Sequence, residues 1–177
     1  MWNNRVFDYI IIKKIFTSEK DSFEERLRSA FLAAEEDNIK ILTLSFGVGN
    51  IKIFENNIDA YIKKIEEIRK NNYSGIFIPE LCLVRENKQN NLYKEIIDSG
   101  YFKSLDLVGD EKLGVDEFID IYKYGKDKNM ILKCHIGEFE SSKFIDEAVT
   151  KLNLDEIQHG LSMVHDKELM KKIRDKN

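Results

Sequence analysis

The stretch FKSLDLVGDEKLGVDEFIDIYKYGKDKNMILKC, residues 102–134, holds the pattern that decides the fold class. Its two ends, 102–108 and 130–134, are short apolar runs that predict β-strands. Between them, apolar residues recur at helical spacing and predict one buried helix face: Val115, Phe118, Ile119 and Tyr122. Gly125 follows that face and predicts that the helix ends nearby. The stretch therefore has the pattern of a strand–helix–strand unit.

The same unit recurs on both sides of this stretch. Towards the N-terminus, Ser22 and Glu25 have the spacing of a capping box and predict a helix that begins at Ser22. The remaining predicted strands are 39–46, 75–84 and one near Ile157. The remaining predicted helices are 58–68, 92–97, 144–152 and one from Asp166. The chain therefore contains about five strand–helix units in series, with a single proline, Pro79.

Strands that alternate with helices over short connections predict an α/β fold with a parallel sheet covered by helices. A doubly wound open sheet and a β/α barrel both satisfy this pattern, and periodicity alone does not choose between them. The sequence has no GxGxxG after a strand and no Walker sequence, which weakens the interpretation as a nucleotide-binding open sheet. No low-complexity segment or interdomain linker interrupts the pattern, so we expect one domain over residues 1–177.

Composition and charge exclude several classes of partner. The formal net charge of −4, with basic residues scattered among acidic ones, gives no general electrostatic reason to bind nucleic acid or an anionic membrane. No apolar run approaches membrane-spanning length, and the start, MWNNRVFDYIIIKKIF, has no signal-peptide cleavage site, so we expect a cytoplasmic protein. Cys82 and Cys134 lie in apolar runs outside any CxxC pair, which predicts buried, reduced thiols.

Acidic and histidine side chains gather where three successive predicted strands end. These ends are Asp106-Leu-Val-Gly-Asp-Glu111, His135-Ile-Gly-Glu138 and Gln158-His159-Gly160. Each alone has a structural explanation, as a core histidine, a helix cap or loop carboxylates that bond their own backbone. The carboxyl ends of parallel strands form the active-site face of β/α barrels, and three such ends exceed what a solvated surface requires.

The three motifs LDLVGDE (105–111), HIGE (135–138) and QHG (158–160) occur in the order and at the spacing found in the adenosine deaminase family of the amidohydrolase superfamily. The chain resembles that family from about Ser22 to its end, most closely from Asp106 onward. The resemblance implies a TIM-type β/α barrel, a catalytic Zn²⁺ and hydrolytic deamination of adenosine or a related purine nucleoside to the inosine-type product plus ammonia.

The resemblance also implies roles for individual residues. His135 matches the zinc-binding histidine of the fifth strand, and Glu138 matches the glutamate that protonates the purine ring. His159 matches the histidine that orients the zinc-bound water and takes its proton. Gly109 matches the glycine whose backbone N–H meets the purine. Asp106 and Glu111 fall in the same motif, but the match gives neither of them a definite role.

The match has departures. The family's first strand carries a His-x-His pair that supplies two zinc ligands, and its last strand carries an aspartate that supplies another. This sequence has three histidines, none in such a pair, and its 177 residues fall short of the roughly 250 of a typical barrel. We therefore predict an internal fragment, a partial barrel without its first and last strands, with His135 as its one metal ligand. Such a chain is expected to be inactive alone, and its open strand edges favour self-association or completion by another chain.

Lys133 is a further departure, because strand alternation aims it into the barrel beside His135, where an unpaired cation would repel zinc.

Three functions follow from these observations. The first is purine aminohydrolase, and the second is a non-catalytic remnant that acts as a binding or assembly module. The third is an unrelated open α/β binding protein whose motifs coincide by chance. The exact purine is left open, because the expected missing strands carry much of that selectivity.

Overall fold

The computed structural model describes residues 19–87 and 92–176. Strands and helices alternate along this part of the chain. In order, they are α1 (Glu19–Glu36), β1 (Ile41–Gly47), α2 (Ile58–Asn72), β2 (Ile76–Val84), α3 (Leu92–Asp98), β3 (Ser104–Val108), α4 (Ile119–Asp127), β4 (Ile131–Ile136), α5 (Ser142–Leu152), β5 (Glu156–His159) and α6 (Lys167–Lys176). Short 3₁₀ helices follow β1, β3 and β5.

The five strands form one sheet in the order β1-β2-β3-β4-β5. Pairing is parallel from β2 to β5, with Cys82 opposite Asp106, Asp106 opposite Lys133 and Lys133 opposite Glu156. A doubly wound sheet reverses its strand order at a switch point, whereas a barrel adds each new strand on the same side. The sequential order therefore matches part of a β/α barrel and confirms the predicted fold class.

The described residues form two compact units, one of 19–42 and 49–77 and one of 43–48, 78–87 and 92–176. In the first unit, the rings of Phe23, Phe54 and Tyr61 lie 5.4–5.7 Å apart and join α1 to the segment before α2 and to α2 itself. The prediction that α1 begins at Ser22 was wrong. Glu19 is already helical, and the Ser22 hydroxyl accepts a hydrogen bond from Arg26 one turn later. A single domain over 1–177 stays a prediction.

In the second unit, one face of the sheet is apolar and buried against helices. Its side chains are nearly inaccessible: Leu81, Leu83, Leu105, Leu107, Leu132 and Cys134. Gly125 belongs to this contact, because a Cβ there would overlap the Leu105 side chain. The glycine therefore allows α4 to approach the sheet, and the helix ends at Asp127, close to the end near Gly125 that the sequence predicted.

Both cysteines are free thiols, as expected. Cys134 is buried and Cys82 is half-buried, and burial raises the pKa of each thiol to about 12. Both therefore stay protonated at neutral pH. Among the described residues, no helix combines the length and apolar character needed to cross a membrane.

Candidate active site

The ends of β3 and β4 bring an aspartate and a histidine into contact. Asp106 faces the same side of the sheet as His135, and its Oδ2 and Oδ1 atoms lie 2.8 and 3.0 Å from His135 Nδ1. Asp106 is 1% exposed, whereas more than a third of the His135 side chain remains accessible. The aspartate is thus a buried group that orients a ring open to the site.

The contact sets the chemistry of the imidazole. The Asp106 hydrogen bond raises the pKa of His135 above its ordinary value, against the opposing effect of partial burial. Because Asp106 occupies Nδ1, the Nε2 atom is the nitrogen left for a metal or substrate. Metal-ligating histidines typically make such a second contact to a carboxylate, which fixes the ring and its tautomer. His135 therefore has the environment of a metal ligand.

His159 reaches the same site through an unusual backbone conformation. Its register partner is Ile136, so strand alternation alone would direct it to the apolar face. Its φ of 71° lies in the left-handed region, which is costly for a non-glycine residue and common at functional sites. The imidazole packs edge-on against His135 at a ring separation of 5.0 Å, and its Nε2 lies 3.4 Å from Glu138 Oε2.

Glu138 lies on a loop that a second carboxylate holds in place. Glu111 is buried and accepts hydrogen bonds from the backbone N–H groups of Gly137 at 2.9 Å, Glu138 at 3.0 Å and Glu140 at 3.2 Å. Gly137 has φ 77°, and a Cβ there would overlap Ile145, so the turn requires glycine. The last acid of the β3 motif thus fixes the loop that follows β4.

A layer of charged and hydroxyl groups lies on the same sheet face, nearer the start of the strands. Glu80 accepts hydrogen bonds from the hydroxyls of Ser45 at 2.6 Å and Ser104 at 2.7 Å. Lys133 Nζ lies 3.1 Å from both Glu80 Oε2 and Glu156 Oε2. Lys133 therefore does face the site side, as alternation predicted, and it is paired there with two carboxylates.

In this polar layer, burial and the neighbouring groups shift the pKa values of Glu80 and Lys133 in opposite directions. Burial tends to raise the pKa of Glu80, but hydrogen bonds from Ser45, Ser104 and Lys133 outweigh it, and the pKa lies below the ordinary value. For Lys133, burial tends to lower the pKa, yet Glu80 and Glu156 raise it overall. Both groups are therefore charged at neutral pH.

The fit of the site to a metal is incomplete within the residues that the structure describes. A catalytic zinc site has three protein ligands and an open position. His135 suits one of these places, but across residues 19–87 and 92–176 no three histidine, cysteine or acidic side chains converge closely enough to hold an ion. The described chain therefore presents one oriented ligand and not a complete set.

The structure brings together three of the residues predicted from sequence, namely His135, Glu138 and His159. Gly109 lies at the end of β3, on the loop that leads to Glu111. Sequence reasoning missed Glu80, although a charged residue at an inward position of an apolar strand was a usable signal. It also missed Arg85 and Glu86, which follow β2 and contact the Gly109 loop.

Comparisons with known proteins identify the family and the fold of this chain. The sequence profile of the adenosine deaminase family matches residues 81–177, more than half of the chain. A Treponema pallidum protein assigned as an adenosine/adenine deaminase is 29% identical over 140 residues, which cover 76% of this chain and 47% of that protein. The chain thus spans about half the length of this relative.

Solved structures with the same fold include an adenine deaminase from Arthrobacter aurescens, with a TM-score of 0.71 and 12% identity over 85% of this chain and 49% of that one. An amidohydrolase from Burkholderia ambifaria, crystallised with bound Zn, has a TM-score of 0.72 and 16% identity over 88% of this chain and 46% of that one. At these identities, the likeness establishes the fold alone.

Proposed function

The chain belongs to the adenosine deaminase family, and on that premise we propose that it carries part of the active site of a purine aminohydrolase. The reaction would replace the 6-amino group of adenosine or a related purine with oxygen from water and release ammonia. The observation that carries the proposal is the convergence of His135, Glu138 and His159 at the ends of two adjacent strands, with His135 oriented by the buried Asp106.

Within this proposal, Glu138 donates a proton to the purine ring and His159 accepts one from the attacking water. Attack of water on an aromatic carbon places negative charge in the ring, so an acid must deliver a proton to a ring nitrogen. Glu138 is the carboxyl group available for this step, on a loop held by Glu111. His159, whose Nε2 is 3.4 Å from Glu138, would accept a proton from the attacking water.

We also propose Zn²⁺ as the cofactor of the complete site, with His135 Nε2 as one ligand. Zinc, when bound, lowers the pKa of water from 15.7 to about 7 and so supplies a nucleophile at neutral pH. The zinc-bound Burkholderia amidohydrolase of the same fold and the Asp106–His135 contact support this assignment. Since the described residues present one oriented ligand, further ligands would have to come from outside them, and we propose that this chain is inactive alone. Cytoplasmic location stays a prediction.

A binding experiment tests the function without requiring turnover. Adenosine and adenine would be titrated into ¹⁵N-labelled chain, with uridine as the control ligand, while the amide signals of Gly109, Glu138 and His159 are followed. Saturable shifts with the purines, and none with uridine, are expected. Absence of any purine-dependent shift would refute the proposed function for this chain.

Ammonia release tests the proposed inactivity separately. The purified chain with added Zn²⁺ is expected to release no ammonia from adenosine or adenine. Zinc-dependent release that a chelator abolishes would overturn the inactivity and support the enzyme. In that case Glu138→Gln should abolish release, whereas Glu95→Gln, on the exposed side of α3, should leave it unchanged.

A further inference from the structure

Two residues that follow β2, Arg85 and Glu86, contact the backbone on both sides of Gly109. Neither belongs to the three motifs at the ends of β3, β4 and β5. Together they engage three consecutive backbone groups, from Val108 to Asp110. We call these two residues the β2 clamp. Its contacts determine how the Gly109 peptide groups are oriented.

The first contact fixes the peptide group that contains the Gly109 N–H. Arg85 N donates to Val108 O at 3.0 Å. Because a trans peptide is planar, its C=O and N–H point in opposite directions. A Val108 carbonyl that points towards Arg85 therefore directs the Gly109 N–H away from Arg85. This main-chain bond therefore sets the direction of the Gly109 N–H, and the side chains of Arg85 and Glu86 act on the peptide group that follows it.

The second peptide group, between Gly109 and Asp110, is held at both ends. Arg85 Nη1 donates to Gly109 O at 3.2 Å, and Asp110 N donates to Glu86 Oε1 at 2.7 Å. With both flanking peptides held, little freedom remains for the backbone of Gly109. Gly109 has φ 99°, and a Cβ there would overlap Glu86, so the clamp lies directly against the α-carbon of this glycine.

Arg85 is itself anchored to the strand that carries the metal-ligand candidate. Its Nη2 donates to His135 O at 2.9 Å and to Cys134 Sγ at 3.1 Å. The side chain is 1% exposed, and among the described residues it has no carboxylate within ion-pair distance and no partner for Nε. Burying a guanidinium group without a carboxylate partner is costly. This cost indicates that Arg85 is placed there for its contacts with Gly109 and His135, at the ends of β3 and β4.

We propose that Arg85 and Glu86 are positioning residues, which hold the Gly109 N–H as a fixed hydrogen-bond donor for an acceptor nitrogen of the purine ring. This inference rests on the proposed function, which makes Gly109 a substrate contact. The clamp acts through Gly109 and does not touch the reacting atoms. Its effect is preorganisation, since a donor already held in the binding direction loses less freedom when the ligand arrives.

The first test needs no ligand. Backbone ¹⁵N relaxation would be measured for Gly109 and for Asp110, whose N–H belongs to the peptide group that both side chains hold. The samples are the wild-type chain, Glu86→Ala, Glu86→Gln and Arg85→Lys, with Glu95→Ala as an exposed glutamate control. We expect order parameters near 0.85 in the wild type, in Glu86→Gln, which keeps an acceptor oxygen, and in the control. In Glu86→Ala and Arg85→Lys the order parameter of Asp110 should fall towards roughly 0.6, and that of Gly109 should fall less, because the bond from Arg85 N to Val108 O remains. A rigid Asp110 in Glu86→Ala, an exposed substitution that should not disturb folding, would overturn the clamp.

The second test connects the clamp to recognition. Binding of adenosine would be compared with that of 1-deaza-, 3-deaza- and 7-deazaadenosine, each of which replaces one ring nitrogen by C–H. Loss of one neutral hydrogen bond predicts weaker wild-type binding, by about 3- to 10-fold, for the analogue that lacks the nitrogen facing Gly109, and a second analogue should lose the contact to Glu138. In Glu86→Ala one of these two differences, the one that depends on Gly109, should shrink below about 2-fold, because a less constrained Gly109 donor weakens the same bond to adenosine.

The outcomes separate the two proposals. An unchanged analogue preference in Glu86→Ala would overturn the positioning role, even if purines bind. No binding of any purine by the wild-type chain would refute the proposed function, and with it the recognition role of the clamp. The relaxation experiment would then still decide whether Arg85 and Glu86 hold Gly109.

Discussion

Substitution of Lys133 by methionine is a direct test of the polar layer beneath the candidate site. Lys133 Nζ lies 3.1 Å from Glu80 and 3.1 Å from Glu156. The side chains of Lys133 and Glu80 are only 13% and 6% exposed, whereas that of Glu156 is 49% exposed. Methionine preserves most of the aliphatic volume but leaves the buried Glu80 carboxylate without its cation.

The expected cost is about 3 kcal/mol of unfolding free energy, the lower end of the roughly 3–5 kcal/mol found when one member of a buried ion pair is removed. The lower end applies because Glu80 keeps the Ser45 and Ser104 hydrogen bonds. About 3 kcal/mol is a change of roughly 150-fold in the unfolding equilibrium. For a chain of this length it corresponds to a Tm about 6–12 °C lower.

The pH dependence follows from the pKa of Glu80, which lies below its ordinary value. A lowered folded-state pKa means that the stabilisation is complete above the unfolded-state value of about 4.3 and is lost as pH falls through the folded-state value. The difference between the wild type and Lys133→Met should therefore be largest near pH 7. It should shrink as Glu80 becomes protonated at acid pH.

Urea unfolding followed by circular dichroism at pH 7 and pH 4 measures both quantities. Lys151→Met is the matched control, because Lys151 also has two carboxylate partners, Asp116 and Glu147, but its side chain is 36% exposed; its cost should stay below about 1 kcal/mol. The double variant Lys133→Met/Glu80→Gln should recover stability relative to Lys133→Met. Equal costs for the two lysines, or no recovery, would refute the reasoning.

Three further perturbations test the site itself. Asp106→Asn should lower the pKa of His135 in an NMR titration. A raised histidine pKa stabilises the fold below about pH 6.5, and this stabilisation is lost as pH rises through the folded-state pKa. The variant should therefore lose more stability at pH 6 than at pH 9. Glu111→Gln should speed amide exchange across 137–140 and cost about 2 kcal/mol, and unchanged exchange would contradict the loop-anchoring role. Gly109→Ala should cost roughly 1–2 kcal/mol because of its positive φ, and a raised Tm would show that the strain is absent.

The order of strands and helices could be predicted because each element buries one face, and burial imposes a period of two or about 3.6 residues. The ends of elements were less predictable. Ser22 has capping chemistry but lies inside α1, and Gly125 has the composition of a helix end but lies inside α4. The Ser22 hydroxyl accepts a hydrogen bond from Arg26, and Gly125 packs against Leu105, and no local pattern records the Leu105 contact.

The sequence predicted three residues that the structure brings together, His135, Glu138 and His159, but not their geometry. Strand alternation places Lys133 and His135 on the same face, as the structure has them, but it would send His159 to the opposite face. The left-handed backbone at His159 brings the ring back beside His135, and no residue pattern in the sequence predicts this conformation. The contacts of Arg85 and Glu86 likewise join segments more than twenty residues apart and depend on the register of β2 with β3.

The pairing of Lys133 bears on whether the site can accept a cation. An unpaired lysine two residues before His135 would repel a metal ion, and the sequence alone left that objection open. In the structure, one positive charge on Lys133 meets two negative charges, on Glu80 and Glu156, so this group sums to −1. Asp106 adds a further negative charge directly behind His135. The buried Arg85 guanidinium, which donates to His135 O, opposes these charges, but the pKa of His135 is still raised overall by its Asp106 hydrogen bond. The surroundings of the imidazole therefore favour a positive charge there, and Lys133 is paired within the sheet beneath the site.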